Sequence, residues 1–288
     1  MKASLFFLVY FVTAALIAAF IAYPLFELAQ NDAFQFESWV TRSALLLLMV
    51  GIIPTLKYFQ LSARSIGHNS TIRSFFSRFF VSFVIGLGIL SVVIFLLIYL
   101  DIRTISNTDS LSFKLILKAF FAGLVVALIE ESLFRGLFFT LSKKWHGVVV
   151  AIVISSFFYA LLHFIKPIEH IDNSALHWLS GVTVIMNAFS GVLLMDVTDF
   201  LALFVVGTLL ALVRYRTGSL AYCIGLHASW VFLIKICKDL TDKNPQSDWL
   251  FLTGHYDGII GLLSVGWLLI VIAVYVTYIN KSTIPSPA

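Results

Sequence analysis

From Phe79 to Leu100 the chain runs without a charged residue. A helix of about 20 predominantly apolar residues, at about 1.5 Å each, spans the hydrocarbon of a bilayer. Stretches of this kind recur at 5–28, 39–57, 79–100, 113–141, 147–165, 200–213, 219–235 and 258–279. Composition agrees: of 288 residues, 60% are apolar and 12% charged, with a mean hydropathy of +0.99. Soluble domains carry about 25% charged residues, so a soluble globular enzyme, a disordered chain and a coiled-coil rod are excluded. The expected fold class is an all-α polytopic membrane protein with about eight transmembrane helices.

A further apolar stretch, 175–195, is broken by Ser180-Gly181, Asn187 and Ser190-Gly191 and reads as a re-entrant or interfacial segment. The first run, Leu5 to Tyr23, is too long for a signal-peptide core. Pro24-Leu25-Phe26-Glu27 is a poor cleavage site, so the run reads as a retained span. Cys223 and Cys237 are too few for a disulfide framework or a four-cysteine metal site and are expected to be buried thiols. A net charge of +4 fits basic loops better than a nucleic-acid surface, and no nucleotide-, calcium- or zinc-finger pattern occurs.

The 34 charged residues test the span count. With eight crossings, one side receives Lys2, Lys57, Arg64, Arg73, Arg78, Lys143, Lys144, Arg214, Arg216 and Lys281 and no acid. The other receives Glu27, Asp32, Glu37, Asp101, Asp109, Glu169, Asp172, Asp196, Asp199, Asp239, Asp242, Asp248 and Asp257, with eight Lys or Arg. The Lys/Arg excess places both termini on the cytoplasmic side. Three charges remain inside an apolar helix: Glu130, Glu131 and Arg135.

An intramembrane ionisable residue is a functional candidate by default. Glu131 and Arg135, four residues apart, share a helix face and can pair. Glu130 points about 100° away and has no cation in its own helix. A carboxyl so placed suits general acid–base chemistry. Of seven histidines, only His163 and His227 lie within spans. Counted from the turns near Trp145 and Thr217, Glu130, His163 and His227 sit at depths of about 22, 27 and 15 Å, a spread that helix tilt would have to close. Glu with two His suits a carboxylate-activated water attacking a peptide carbonyl, or a zinc held by Glu130, His163 and His227. The H-E-x-x-H zinc helix and the G-x-S-x-G serine elbow are absent.

Glu130-Glu131-x-x-x-Arg135, an aromatic-x-x-x-His163 helix and then His227, preceded by Arg216-Thr217-Gly218-Ser219-Leu220, resemble the CPBP family. These are the CAAX prenyl endoproteases and their bacterial bacteriocin-processing and immunity relatives. The resemblance covers roughly 115–235. It implies an eight-helix intramembrane endopeptidase in which Glu130 activates water, His163 positions it and His227 stabilises the oxyanion, alone or with a neighbour. Glu131 and Arg135 would be structural or substrate-orienting. The chain then divides into motif-free helices (1–112), a CPBP-like catalytic core (113–235), and a loop with the last helix (236–288).

Two positions depart from the family pattern. Tyr159 replaces the usual Phe four residues before His163, adding a hydroxyl. Val231 replaces the Asn or Asp often found four residues after His227. Trp230 carries the nearest alternative N–H donor, with helix packing as its plainer role. The favoured expectation is a glutamate-dependent endopeptidase without a cofactor, zinc being the alternative. It would act on a membrane-embedded or lipid-anchored peptide or protein in a bacterial inner membrane, with no nucleic-acid partner. A non-catalytic immunity or interaction protein and a proton-coupled transporter are the competing readings.

Overall fold

The computed structural model describes residues 2–29, 34–106, 111–172 and 175–282, without the side chains of 279–282. Helices follow the apolar stretches. They are α1 (Lys2–Ala29), α2 (Phe36–Tyr58), α3 (Ile72–Tyr99), α4 (Phe113–Glu131), α5 (Phe139–His146), α6 (Val148–Leu162), α7 (Ser180–Ser190), α8 (Val197–Thr217), α9 (Leu220–Leu240) and α10 (Leu262–Ser282). The chain is an all-α polytopic membrane protein. By length and composition α1, α2, α3, α8 and α9 can each cross a membrane, and α6, α7 with its tail, and α10 are shorter apolar helices. Large apolar side chains such as Leu46, Val84, Phe95, Phe121 and Val274 face outward, as lipid-facing surfaces require.

Local chemistry fixes the helix ends. The side chains of Thr71, Ser112, Asp196 and Ser219 cap α3, α4, α8 and α9 by accepting from backbone N–H groups one turn in. Gly218, at φ +67°, ends α8 in the left-handed conformation that glycine adopts without strain. The broken stretch at 175–195 forms the 11-residue α7 and a 3₁₀ turn, Gly191–Leu194. At about 16 Å, α7 covers half of a bilayer core.

The sequence reading did not foresee a two-stranded ribbon. Strands β1 (Arg103–Ile105) and β2 (Thr241–Lys243) pair antiparallel. Arg103 locks them by donating from Nε to Thr241 Oγ1 (2.6 Å) and from Nη2 to the Thr241 carbonyl (2.6 Å).

Helix α9 packs between α3 and α4, α6 lies against α8, and α10 against α8 and α3. Small residues bring α9 close: a Cβ on Gly123 would lie 2.6 Å from the Ala228 carbonyl oxygen, and one on Gly225 would overlap the Phe79 carbonyl. Such close approaches are how helices associate in lipid.

The charge census needs amending. Besides Glu131 and Arg135, Glu37, Arg103, Asp199 and Arg214 are buried although they sit in loops or at helix ends. Asp32, Asp109 and the Lys281 side chain lie outside the described residues. Both cysteines are buried free thiols.

Candidate active site

The helix that carries the acidic pair changes pitch where the pair sits. After Glu131 the backbone passes into a seven-residue π-helical segment, Ser132–Phe138, and returns to α-helix at Phe139. Such bulges concentrate at functional sites. Polar partners support this one. Arg214 Nε donates to the Arg135 carbonyl (3.1 Å). Ser132 Oγ donates to the Leu128 carbonyl (2.6 Å) and accepts from His68 Nε2 (3.0 Å). Phe138 stacks on Phe7 of α1 with ring centroids 3.9 Å apart, and the edge of Phe134 meets Tyr159.

Glu131 and Arg135 pair as their spacing predicts. Arg135 Nη1 lies 3.1 Å from Glu131 Oε1, and both side chains are fully buried. Glu131 Oε1 also accepts from His227 Nδ1 at 2.8 Å. The Arg135 guanidinium stands 4.1 Å over the Tyr159 ring. One carboxylate thus holds the buried cation and orients the His227 ring.

Glu130 points elsewhere, as helix geometry requires. Its Oε2 lies 3.8 Å from His163 Nε2 and 3.8 Å from His227 Nε2, and no hydrogen bond satisfies it. His163 Nδ1 donates to the Tyr159 carbonyl (2.7 Å). In the neutral state both imidazoles therefore turn an acceptor Nε2 toward the same carboxylate oxygen.

The three side chains meet despite the expected spread of depths. The turn after α5 is at Gly147, not Trp145, so Glu130 precedes it by 17 residues and His163 follows by 16. The α8–α9 turn is tied to the α2–α3 loop: Leu220 N donates to the Gly67 carbonyl and Asn69 Nδ2 to the Gly218 carbonyl.

The donor set of two neutral imidazoles and a carboxylate is one zinc accepts. Glu130 Oε2 stands 3.8 Å from each Nε2, against about 3.4 Å between donors held about 2.1 Å from an ideal tetrahedral ion. No group of three or more His, Cys, Asp or Glu among the described residues is arranged to hold a metal ion.

The trio faces a cavity of about 670 Å³. Tyr159, Lys166, Trp230, Val231, Tyr256 and Trp267 are among the residues lining it. Trp230 does not offer its indole to the cavity, because Nε1 donates to the Gly86 carbonyl of α3 at 3.1 Å. It is a packing residue. Tyr159 serves His163 through its carbonyl, not through its hydroxyl. Four exposed lysines, Lys118, Lys166, Lys235 and Lys238, stand along the same cavity.

Sequence reasoning missed Tyr256. The connection after β2 folds back over the cavity, and Asp199 pins it: Oδ2 accepts from the backbone N–H of His255 (2.9 Å) and Tyr256 (2.9 Å). The Tyr256 ring then meets His163 (centroids 5.9 Å) and Phe164 (5.7 Å). The only signal in the sequence was an aromatic residue in a polar connection, with no spacing to tie it to the histidines.

No curated protein and no solved structure matches the chain. One family does. The stretch that carries Glu130, Glu131, Arg135, Tyr159, His163, His227 and Trp230, residues 112–233, matches the Rce1-like family, described as type II CAAX prenyl endopeptidase Rce1-like.

Proposed function

We propose that this membrane protein is an intramembrane endopeptidase that hydrolyses a peptide bond of a membrane-embedded or lipid-anchored peptide or protein. One observation carries the reading: Glu130 Oε2 stands 3.8 Å from the Nε2 atoms of both His163 and His227, unpartnered, on the wall of the cavity. A family of CAAX-type membrane proteases supports the reaction class.

A water between Glu130 Oε2 and His163 Nε2 donates a hydrogen bond of about 2.8 Å to each. Glu130 takes one proton from that water while its oxygen bonds to the peptide carbonyl carbon, and the carbonyl π pair moves to oxygen. His163 Nε2 accepts the second water proton as a hydrogen bond and fixes the attack direction. His227, with both nitrogens protonated and Nδ1 anchored on Glu131, donates from Nε2 to the oxyanion. When the adduct collapses the C–N bond breaks, and the proton on Glu130 passes to the leaving amine. Glu131 and Arg135 position His227 and touch no reacting atom. The mechanism needs no cofactor.

We place the protein in a bacterial inner membrane with both termini cytoplasmic, on the ten-to-eight division of Lys and Arg between its two sides. The test of function is cleavage by purified protein in proteoliposomes. One quenched peptide probe carries a prenylated cysteine followed by three residues, and the other is an unprenylated transmembrane peptide. Cleavage of either probe that disappears in Glu130→Gln and His163→Ala supports the reading, and the preferred probe defines the substrate. Cleavage unchanged in both variants overturns it.

A further inference from the structure

Attack on a carbonyl needs a hydrogen-bond donor for the oxygen that becomes negative, and a missing donor costs about 10²–10³ in rate. Residue 231, one turn beyond His227 on the cavity wall, is valine and donates nothing. Other donors on that wall are spent on backbone carbonyls: Trp230 Nε1 on Gly86, Trp267 Nε1 on Ile89 (2.8 Å) and Ser264 Oγ on Gly261 (2.8 Å). Lys235 and Lys238 lie 8 and 11 residues along α9 from His227, and Lys118 lies 12 residues along α4 from Glu130. That is about 12–18 Å away at the helical rise. The Lys166 ammonium is engaged 4.8 Å over the Tyr256 ring.

Two hydroxyls remain. Neither Tyr159 nor Tyr256 makes a hydroxyl hydrogen bond among the described residues. Tyr159 is nearly fully buried under the Arg135 guanidinium, whereas Tyr256 is half-buried at the cavity surface beside His163. We infer that Tyr256 is a catalytic residue whose hydroxyl donates to the oxyanion alongside His227, and that Asp199 is the positioning residue that holds it there. Tyr256 lies outside the stretch that matches the family. The donor is thus supplied by a separate element, the connection between β2 and α10.

Other observations agree. Burial, then the Glu130 carboxylate, raise the Tyr256 phenol above its ordinary pKa, so it keeps its proton. Gly254 makes the clasp possible, because a Cβ there would overlap the Asp199 carboxylate. Asp199 is itself buried in the first turn of α8.

The inference rests on the endopeptidase reading, and the test separates the two. Wild type, Glu130→Gln, Tyr256→Phe, Tyr159→Phe and Tyr256→Phe/Val231→Asn are compared on whichever peptide probe is cleaved. A peptide aldehyde, whose hydrate mimics the tetrahedral adduct, serves as the inhibitor. Tyr256→Phe keeps the ring contacts and is expected to lower kcat about 10²-fold, leave KM within about twofold and weaken the aldehyde to match. Asparagine at 231, facing the same cavity, is expected to restore part of kcat. Asp199→Ala is expected to lower kcat without adding to Tyr256→Phe. Full kcat in Tyr256→Phe with an inactive Glu130→Gln overturns the inference and leaves the endopeptidase reading standing, as does a loss confined to Tyr159→Phe. Activity retained in Glu130→Gln overturns both.

Discussion

Replacing Glu131 by alanine strands a buried cation. Arg135 is fully buried, and its Nε and Nη2 have no hydrogen-bond partner. Glu131 Oε1 is the anionic group it contacts, and that oxygen also holds His227 Nδ1. Removing one partner of a buried pair costs about 3–5 kcal/mol, a large share of a typical stability of about 5–15 kcal/mol. At about 2–4 °C per kcal/mol, the melting temperature in detergent micelles should fall by about 10 °C, read from intrinsic tryptophan fluorescence. A second loss should appear in kcat, because the ring loses the carboxylate that orients it and balances its charge. In serine-protease triads that loss is worth about 10⁴. The double variant Glu131→Gln/Arg135→Gln removes both charges and should recover more than half of the stability lost in Glu131→Ala without recovering activity. A Glu131→Ala melting temperature within about 2 °C of wild type would refute the network. So would losses for Glu131→Ala and Arg135→Gln that simply add.

Other predictions follow from single contacts. Trp230→Phe should lower stability by about 1 kcal/mol through loss of the bond to Gly86, with the loss seen in melting and not in kcat. Gly225→Ala should prise α9 from α3 and lower both melting temperature and activity, since His227 travels with α9. Dialysis against a strong zinc chelator should leave the cleavage rate unchanged, and metal analysis of the active protein should find no stoichiometric zinc. His68 lies in the α2–α3 loop, and burial, then Arg214, lower its pKa below 6.5. The unfolded chain therefore binds the extra proton first. Stability should be present above about pH 6.5 and be lost as pH falls through that value toward the folded pKa. His68→Asn should flatten this dependence in melting curves taken from pH 7.5 to 5.5.

The sequence showed the parts of this molecule that depend on bulk physics. Apolar length located the helices, and the cost of charge in lipid isolated Glu130, Glu131 and Arg135. The i, i+4 spacing paired Glu131 with Arg135 and left Glu130 facing away, as found. What escaped depends on tertiary contact. The π segment arises where Arg214 and the loop containing His68 meet the helix. The meeting of His163 and His227 at Glu130 involves a turn at Gly147 and a hydrogen bond from the α8–α9 turn to the α2–α3 loop. No local pattern encodes either. Tyr256 reaches His163 because Asp199, 57 residues earlier, holds its backbone. Trp230 illustrates the reverse limit: its N–H was legible as a donor, but its partner, the Gly86 carbonyl, was not.

The central claim concerns one carboxylate, and one measurement addresses it. Single-turnover cleavage of the preferred peptide in proteoliposomes compares wild type with Glu130→Gln, each checked for an unchanged melting temperature. A positioned general base contributes about 10²–10⁴, so the Gln variant should cleave slower by that factor while binding the peptide as tightly. A folded Glu130→Gln variant that cleaves at the wild-type rate would contradict the account.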